Sequence, residues 1–175
     1  MEKNISDILK NPQLFVAKVV DALKSDAIKI EGLHLDHICY RVETYERYNE
    51  LKKELGTIGY MLGDEEKPIN GRPIAVYKLH KPIIYEWRNI NCIELPAPAK
   101  DNAHKEGFEH AEFVIHGSFG KFMREYDKIS FDTKGIHKKI NPDIKIQYDG
   151  FSVKFHHKSL ENVIKYEQGL KNMKF

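Results

Sequence analysis

Apolar spacing divides the chain into alternating helical and extended stretches. Asn11-Pro12 opens a helix on which Phe15, Val19, Ala22 and Leu23 recur at helical spacing to about Lys24. Residues 35–42, LDHICYRV, read as a strand. Alternation puts Asp36, Ile38, Tyr40 and Val42 on one face and His37, Cys39 and Arg41 on the other. Neither face is solvent-like, so both are expected to be covered. Residues 44–56 predict a helix with Tyr45, Tyr48, Leu51 and Leu55 on one stripe, stopped at Gly56. Pro68, Asn70-Gly71 and Pro73 punctuate the approach to three extended runs, 74–79, 83–87 and 90–95. Pro96-Ala97-Pro98 ends the last of them.

After a polar connector over 99–106 the plan repeats. Residues 107–115, GFEHAEFVI, form a strand carrying Glu109-His110 much as the earlier one carries Asp36-His37. A helix follows over 119–129, with Phe122, Met123 and Tyr126 apolar. Runs 144–148 and 151–155 flank Asp149-Gly150, the pattern of a tight hairpin, and 159–168 reads as a closing helix capped by Ser159. The expected organisation is α+β. A helical extension over 1–30 precedes a first βαβββ module over 31–98 and a second over 106–168, which share one compact, curled, barrel-like mixed sheet with helices outside.

Composition narrows what such a fold would do. The chain has 175 residues, 28 Lys+Arg against 26 Asp+Glu, and 41% hydrophobic residues. A near-neutral balance argues against a nucleic-acid binder; the nine lysines and five acids of residues 131–175 read as a solvated surface. No stretch has the apolar length of a membrane span, and MEKNISDILK lacks the basic-then-apolar plan of a secretory signal. The expected setting is cytoplasmic and reducing, with Cys39 and Cys92 as thiols. The expected partners are a small-molecule substrate or ligand and, at most, a second copy forming a homodimer.

Of nine histidines, His37 and His110 occupy the same point of the repeated unit. In the strand NCIEL, Cys92 and Glu94 share a face; in FSVKFHH, so do Ser152, Lys154 and His156. A sheet curled round a cavity would line it with His37, Glu94, His110 and one or both of Lys154 and His156. Two imidazoles and a carboxylate can hold Zn, Fe, Ni, Mn or Co with positions left for substrate. A carboxylate facing inward also requires a partner. Arg72, following Asn70-Gly71, reads either as a group binding a carboxylate or phosphate in the cavity or as a surface arginine at a turn exit, and Cys39 and Cys92 read as small cavity-wall residues. His80, His104, His116 and His137 are expected in solvent, and Trp87 in the core or at a strand edge. No HExxH, CxxC, GxSxG or glycine-rich phosphate loop occurs.

The strings LDHICYRV, NGRPIAVYKLHKPI, IELPAP, EGFEHAEFVI and VKFHHKSLENVI, in that order over about residues 30–168, resemble the YecM-like family. That family in turn resembles the vicinal oxygen chelate superfamily of glyoxalases, extradiol dioxygenases, epimerases and bleomycin-resistance proteins. The resemblance implies paired βαβββ modules around a metal or ligand cavity, with metal ligands at His37, Glu94 and His110 and a fourth from Lys154 or His156. It also implies a divalent transition metal and isomerase, lyase or oxygenase chemistry. At such a site the residues themselves make Glu94 and Lys154 the catalytic candidates and Arg72 and Lys154 the substrate-binding ones. Lys154 departs from the pattern, because an ammonium cannot ligate a metal. It could pair with Glu94, hold an oxyanion or carry a proton. The alternative implied is a ligand-binding protein that uses the same cavity without chemistry.

Overall fold

The computed structural model describes residues 3–64, 72–99 and 105–172. Pro68, Asn70-Gly71, most of the connector and His104 lie outside them. The N-terminal extension is a short α1 (Ile5–Ile8), closed by a capping box between Asn4 and Asp7, and then α2 (Pro12–Ser25) with its proline in the first turn.

The first module runs β1 (His34–Arg41), α3 (Tyr45–Leu55), β2 (Gly59–Asp64), β3 (Ile74–Tyr85) and β4 (Arg88–Pro96). Thr44 caps α3 by accepting the Arg47 N–H at 3.1 Å. Runs 74–79 and 83–87, separate in the sequence reading, are one strand. Pro82 does not break it because β3 bulges there. Lys78 pairs with Cys92 and Ile83 with Ile90, so the missing N–H falls where the ladder needs none. The remaining strand of the module is β2, which the sequence reading did not find. Trp87 is neither core nor strand edge. It sits in the two-residue turn between Tyr85 and Arg88, 52% exposed, with the Arg88 guanidinium 3.7 Å from its ring centre.

The second module repeats the order with β5 (Gly107–Val114), α4 (Phe119–Glu125), β6 (Asp143–Tyr148) and β7 (Phe151–His156), followed by α5 (Leu160–Asn172). Its counterpart of β2 is reduced to one bridge between Asp132 and Lys145. Asp149-Gly150 makes the β6–β7 turn, with Gly150 at φ +77°.

Among the described residues, seven strands form one mixed sheet in the order β2-β3-β4-β1-β5-β7-β6, curled but not closed. β1 and β5 are antiparallel neighbours at its centre, flanked in parallel by β4 and β7. The fold is therefore α+β with the paired, curled modules that the sequence predicts. α2 packs on the outer face through Phe15 against Phe151, and α4 through Phe122 against Phe155. Phe113 and Phe155 are fully buried, each contributing about 1.5–3 kcal/mol by burial. α5 crosses the inner face: Asp36 accepts the Leu160 N–H (2.8 Å), Glu161 pairs with Lys78 (2.7 Å) and Gln168 donates to the Leu62 carbonyl (3.0 Å). Ser159 accepts the Asn162 N–H at 3.3 Å, as an N-cap does. Among the described residues, no helix is long and apolar enough to cross a membrane.

Candidate metal centre

Consecutive residues of a regular strand point to opposite faces, which would direct Asp36 away from His37. The β1–β5 ladder prevents this. Leu35 pairs with Phe113 and His37 with Glu112, leaving Asp36 as an extra residue; Cys39 pairs with His110 and Tyr40 with Phe108, leaving Glu109 extra. One bulge in each strand turns each acid back onto its own histidine. Asp36 Oδ2 meets His37 Nδ1 at 2.9 Å, and Glu109 Oε2 meets His110 Nδ1 at 3.1 Å. With Nδ1 held by a carboxylate, each imidazole offers Nε2 to the cavity.

Glu94 and Glu112 face those nitrogens. His110 Nε2 lies 3.0 Å from Glu94 and 3.2 Å from Glu112; His37 Nε2 lies 3.8 Å and 3.6 Å from the same two carboxylates. One ligand atom from each of His37, Glu94, His110 and Glu112 falls within 4.8 Å of the others, a set that could hold a metal ion. Glu112 is the member that sequence reading missed. Its signal was present: two residues beyond His110 on an alternating strand, it shares the His110 face.

The other candidates fall around this set. Lys154 pairs with Glu112 (2.8 Å) rather than with Glu94, and its Nζ lies 3.1 Å from His110 Nε2. His156 is fully buried on the far side of His37, in a separate group with Asp36 and His37. Its Nε2 is 3.9 Å from Asp36 and 3.7 Å from Glu112, and neither ring nitrogen makes a hydrogen bond among the described residues. His37, His110 and His156 are the buried histidines among those described, whereas His80, His116 and His137 are exposed. Cys39 and Cys92 are buried free thiols. Cys39 groups with Glu109 and His110, its Sγ 3.9 Å from Glu109, and burial pushes the Cys92 thiol up to about 11.

Charge is compensated inside the cluster. Burial opposes ionisation of His37, but Glu112 and hydrogen bonds to Asp36, Glu112 and Glu94 raise its pKa well above the usual range. Burial also opposes ionisation of Glu94 and Glu112. His110 and His37 outweigh it at Glu94, and Lys154 and His37 at Glu112, so both carboxyls stay well below theirs. Lys154 is likewise held charged against its burial by Glu112 and Glu94. At His156 burial prevails and lowers the pKa, keeping that imidazole neutral.

The cluster lies in a cavity of about 760 Å³, a size suited to a small molecule. Arg72 lines it, as do Ile74 and Val76 of β3 and Leu160, Val163 and Ile164 of α5. Two imidazoles and two carboxylates in the cavity of a duplicated, curled sheet define a paired-module α+β protein whose inner face could take a cation. The chain belongs to the YecM family: that family's model, described as YecM protein, matches residues 4–140. The match spans Arg72 and the four clustered residues and stops short of Lys154 and His156.

The chain is 26% identical to Protein YecM of Escherichia coli (strain K12) over 182 aligned positions, 94% of each sequence. Its fold is similar to the solved structure of Protein EC4020, with TM-score 0.74, 24% identity, and coverage of 96% of this chain and 98% of that one. A hypothetical protein, BH1468 from Bacillus halodurans C-125, is more distant, with TM-score 0.50, 17% identity, and coverage of 73% and 96%. At these identities the likeness to both structures is one of fold.

Proposed function

We propose that the chain is a metal-dependent enzyme of the vicinal-oxygen-chelate type, acting on a small oxygen-bearing substrate by isomerase, lyase or oxygenase chemistry. The observation that carries this reading is the convergence of His37, Glu94, His110 and Glu112 within 4.8 Å at the cavity. The donor set fits a divalent transition metal such as Zn, Fe, Ni or Mn: imidazole nitrogen with carboxylate oxygen, each histidine oriented by a carboxylate behind it. A bound ion would act there as a Lewis acid toward substrate oxygens. The chain's own residues would do the rest. Asp36 and Glu109 hold the imidazoles in the ligating tautomer. Glu94 and Glu112 neutralise the ion's charge. The Lys154 ammonium, beside Glu112, would hold a substrate oxyanion or deliver a proton to it.

A second reading, a ligand-binding protein without metal, is favoured by the same lysine. Its ammonium already serves as a cation for Glu112 at 2.8 Å and lies 3.1 Å from His110 Nε2. Metal analysis of protein purified without chelator separates the two. The enzyme reading expects about one equivalent of transition metal, lost in His37→Ala and in His110→Ala. Equal metal in all three proteins would sink the proposed centre, and none in the wild type would leave the binding reading.

A further inference from the structure

Beyond the metal cluster, the β1–β4–β3 end of the cavity gathers positive charge. Arg41 follows His37 and Cys39 along β1, so alternation aims it toward the cavity, and Arg72 lies just ahead of Ile74, where β3 begins; both line the cavity. Between them runs β4. Ile74 pairs with Pro96, while the parallel register of Cys39 with Glu94 brings Arg41 level with Pro96. Arg41 spends Nε and Nη2 on Glu109, which also holds His110; its Nη1 is buried with no acceptor among the described residues. Such a group is normally met by a partner. Arg72 has no ion pair among the described residues, whereas Lys138, Lys145 and Lys154 are matched by Asp143, Asp132 and Glu112. Burial and then the neighbouring Arg41 lower the Arg72 pKa, and Glu109 and Glu94 offset this only in part.

We infer that Arg41 and Arg72 form an anion seat, and that the cavity takes an acidic small molecule, a carboxylate or phosphate monoester, whose short apolar body lies between β3 and α5. The inference rests on the cavity being the functional site, but not on a metal occupying it. Ile74 and Val76 on one wall and Leu160, Val163 and Ile164 on the other supply the apolar contact. Because Glu109 joins Arg41 to His110, an anion on the seat would lie one carboxylate away from the metal cluster.

The test is calorimetric titration of the protein as purified with hexanoate, hexyl phosphate and hexan-1-ol, repeated on Arg72→Gln and His37→Ala. One or both anions should bind and hexan-1-ol should not, the tighter anion naming the headgroup. Arg72→Gln should weaken that binding at least about tenfold, and by more than His37→Ala does. Anion binding unchanged in Arg72→Gln, hexan-1-ol binding as tightly as the anions, or no anion binding to the wild type below about 10 mM would each overturn the seat. Binding lost in His37→Ala but kept in Arg72→Gln would overturn it too, by assigning the anion to the metal cluster. Metal content reports on the enzyme reading separately, so the failure of either remains distinguishable.

Discussion

The two halves of the sheet set four chemical positions in the same register and fill them differently. In the first, the parallel pair β1–β4 puts His37 beside Cys92 and Cys39 beside Glu94. In the second, β5–β7 puts His110 beside Ser152 and Glu112 beside Lys154. His37 therefore corresponds to His110, Cys39 to Glu112, and Glu94 to Lys154. The imidazole is kept in both halves, while the carboxylate moves from the closing strand in one to the opening strand in the other. Filling both pairs of positions with glutamate would crowd four carboxylates around one point, each penalised by its neighbours. Two carboxylates with one ammonium keep the donor set at a quarter of that net charge. A duplicated fold thus supplies places for side chains, and function depends on how the copies diverge at them.

The sharpest way to break this comparison is to remove the acid peculiar to the second half. Lys154 is 21% exposed and pairs with Glu112, so Glu112→Leu leaves a mostly buried charge without its partner and should cost about 3 kcal/mol. Thermal unfolding should fall by about 6–12 °C, and adding Lys154→Met should recover most of that. The corresponding change in the first half, Cys39→Ala, removes a small buried thiol and should cost only about 1 kcal/mol. Equal losses in the two halves would contradict the assigned asymmetry.

Smaller effects are expected where the halves agree. Asp36→Ala and Glu109→Ala each remove the carboxylate behind one imidazole and should weaken Zn²⁺ binding by about 10–100-fold in a competition titration. The two losses should be comparable if the pairs are equivalent. Asp36→Ala alone should also speed amide exchange near Leu160, whose N–H it holds; unchanged exchange there would remove Asp36 as the tie of α5.

The smallest effect is on pH dependence. Asp36 is lowered from 3.8, with His37 and the Leu160 N–H overcoming the burial that opposes it, and Glu109 is lowered from 4.5 as His110 and Arg41 do the same. Groups depressed on folding contribute stability that is complete above their unfolded values and is lost as pH falls through the folded ones. The stability that Asp36 and Glu109 contribute should therefore hold above about pH 5 and decline below about pH 4.5. Glu109→Gln should flatten that decline by about 1 kcal/mol, since the carboxyl is partly exposed. An acid limb identical to the wild type's would show that Glu109 gains nothing from Arg41 and His110.

Much of this was legible in the residues. The helix from Asn11-Pro12, the strand bearing His37, the Asp149-Gly150 hairpin and the duplication all followed from local rules of spacing and turn chemistry. So did the three buried histidines, because apolar neighbours on alternating strands announce burial. β2 was not legible. Gly59–Asp64 carries a weak pattern and owes its state to pairing with β3. Nor was the continuity of β3 through Pro82, which depends on a bulge against β4. Glu112 was within reach, since it stands to His110 as Cys39 stands to His37. Reading the repeat one position further would have found it.

The sequence by itself determined which side chains could share a face, because alternation along a strand is a local property of the backbone. It also determined that the chain is built twice from one plan. Only the tertiary structure decided which faces meet: that β1 and β5 lie side by side, bringing His37, Glu94, His110 and Glu112 within 4.8 Å, and that Lys154 answers Glu112 rather than Glu94. It also placed a bulge at each acid–histidine pair. Register between distant strands is set by the fit of the whole sheet, and a single extra residue in a ladder reverses the face of a side chain without leaving a mark in the local pattern.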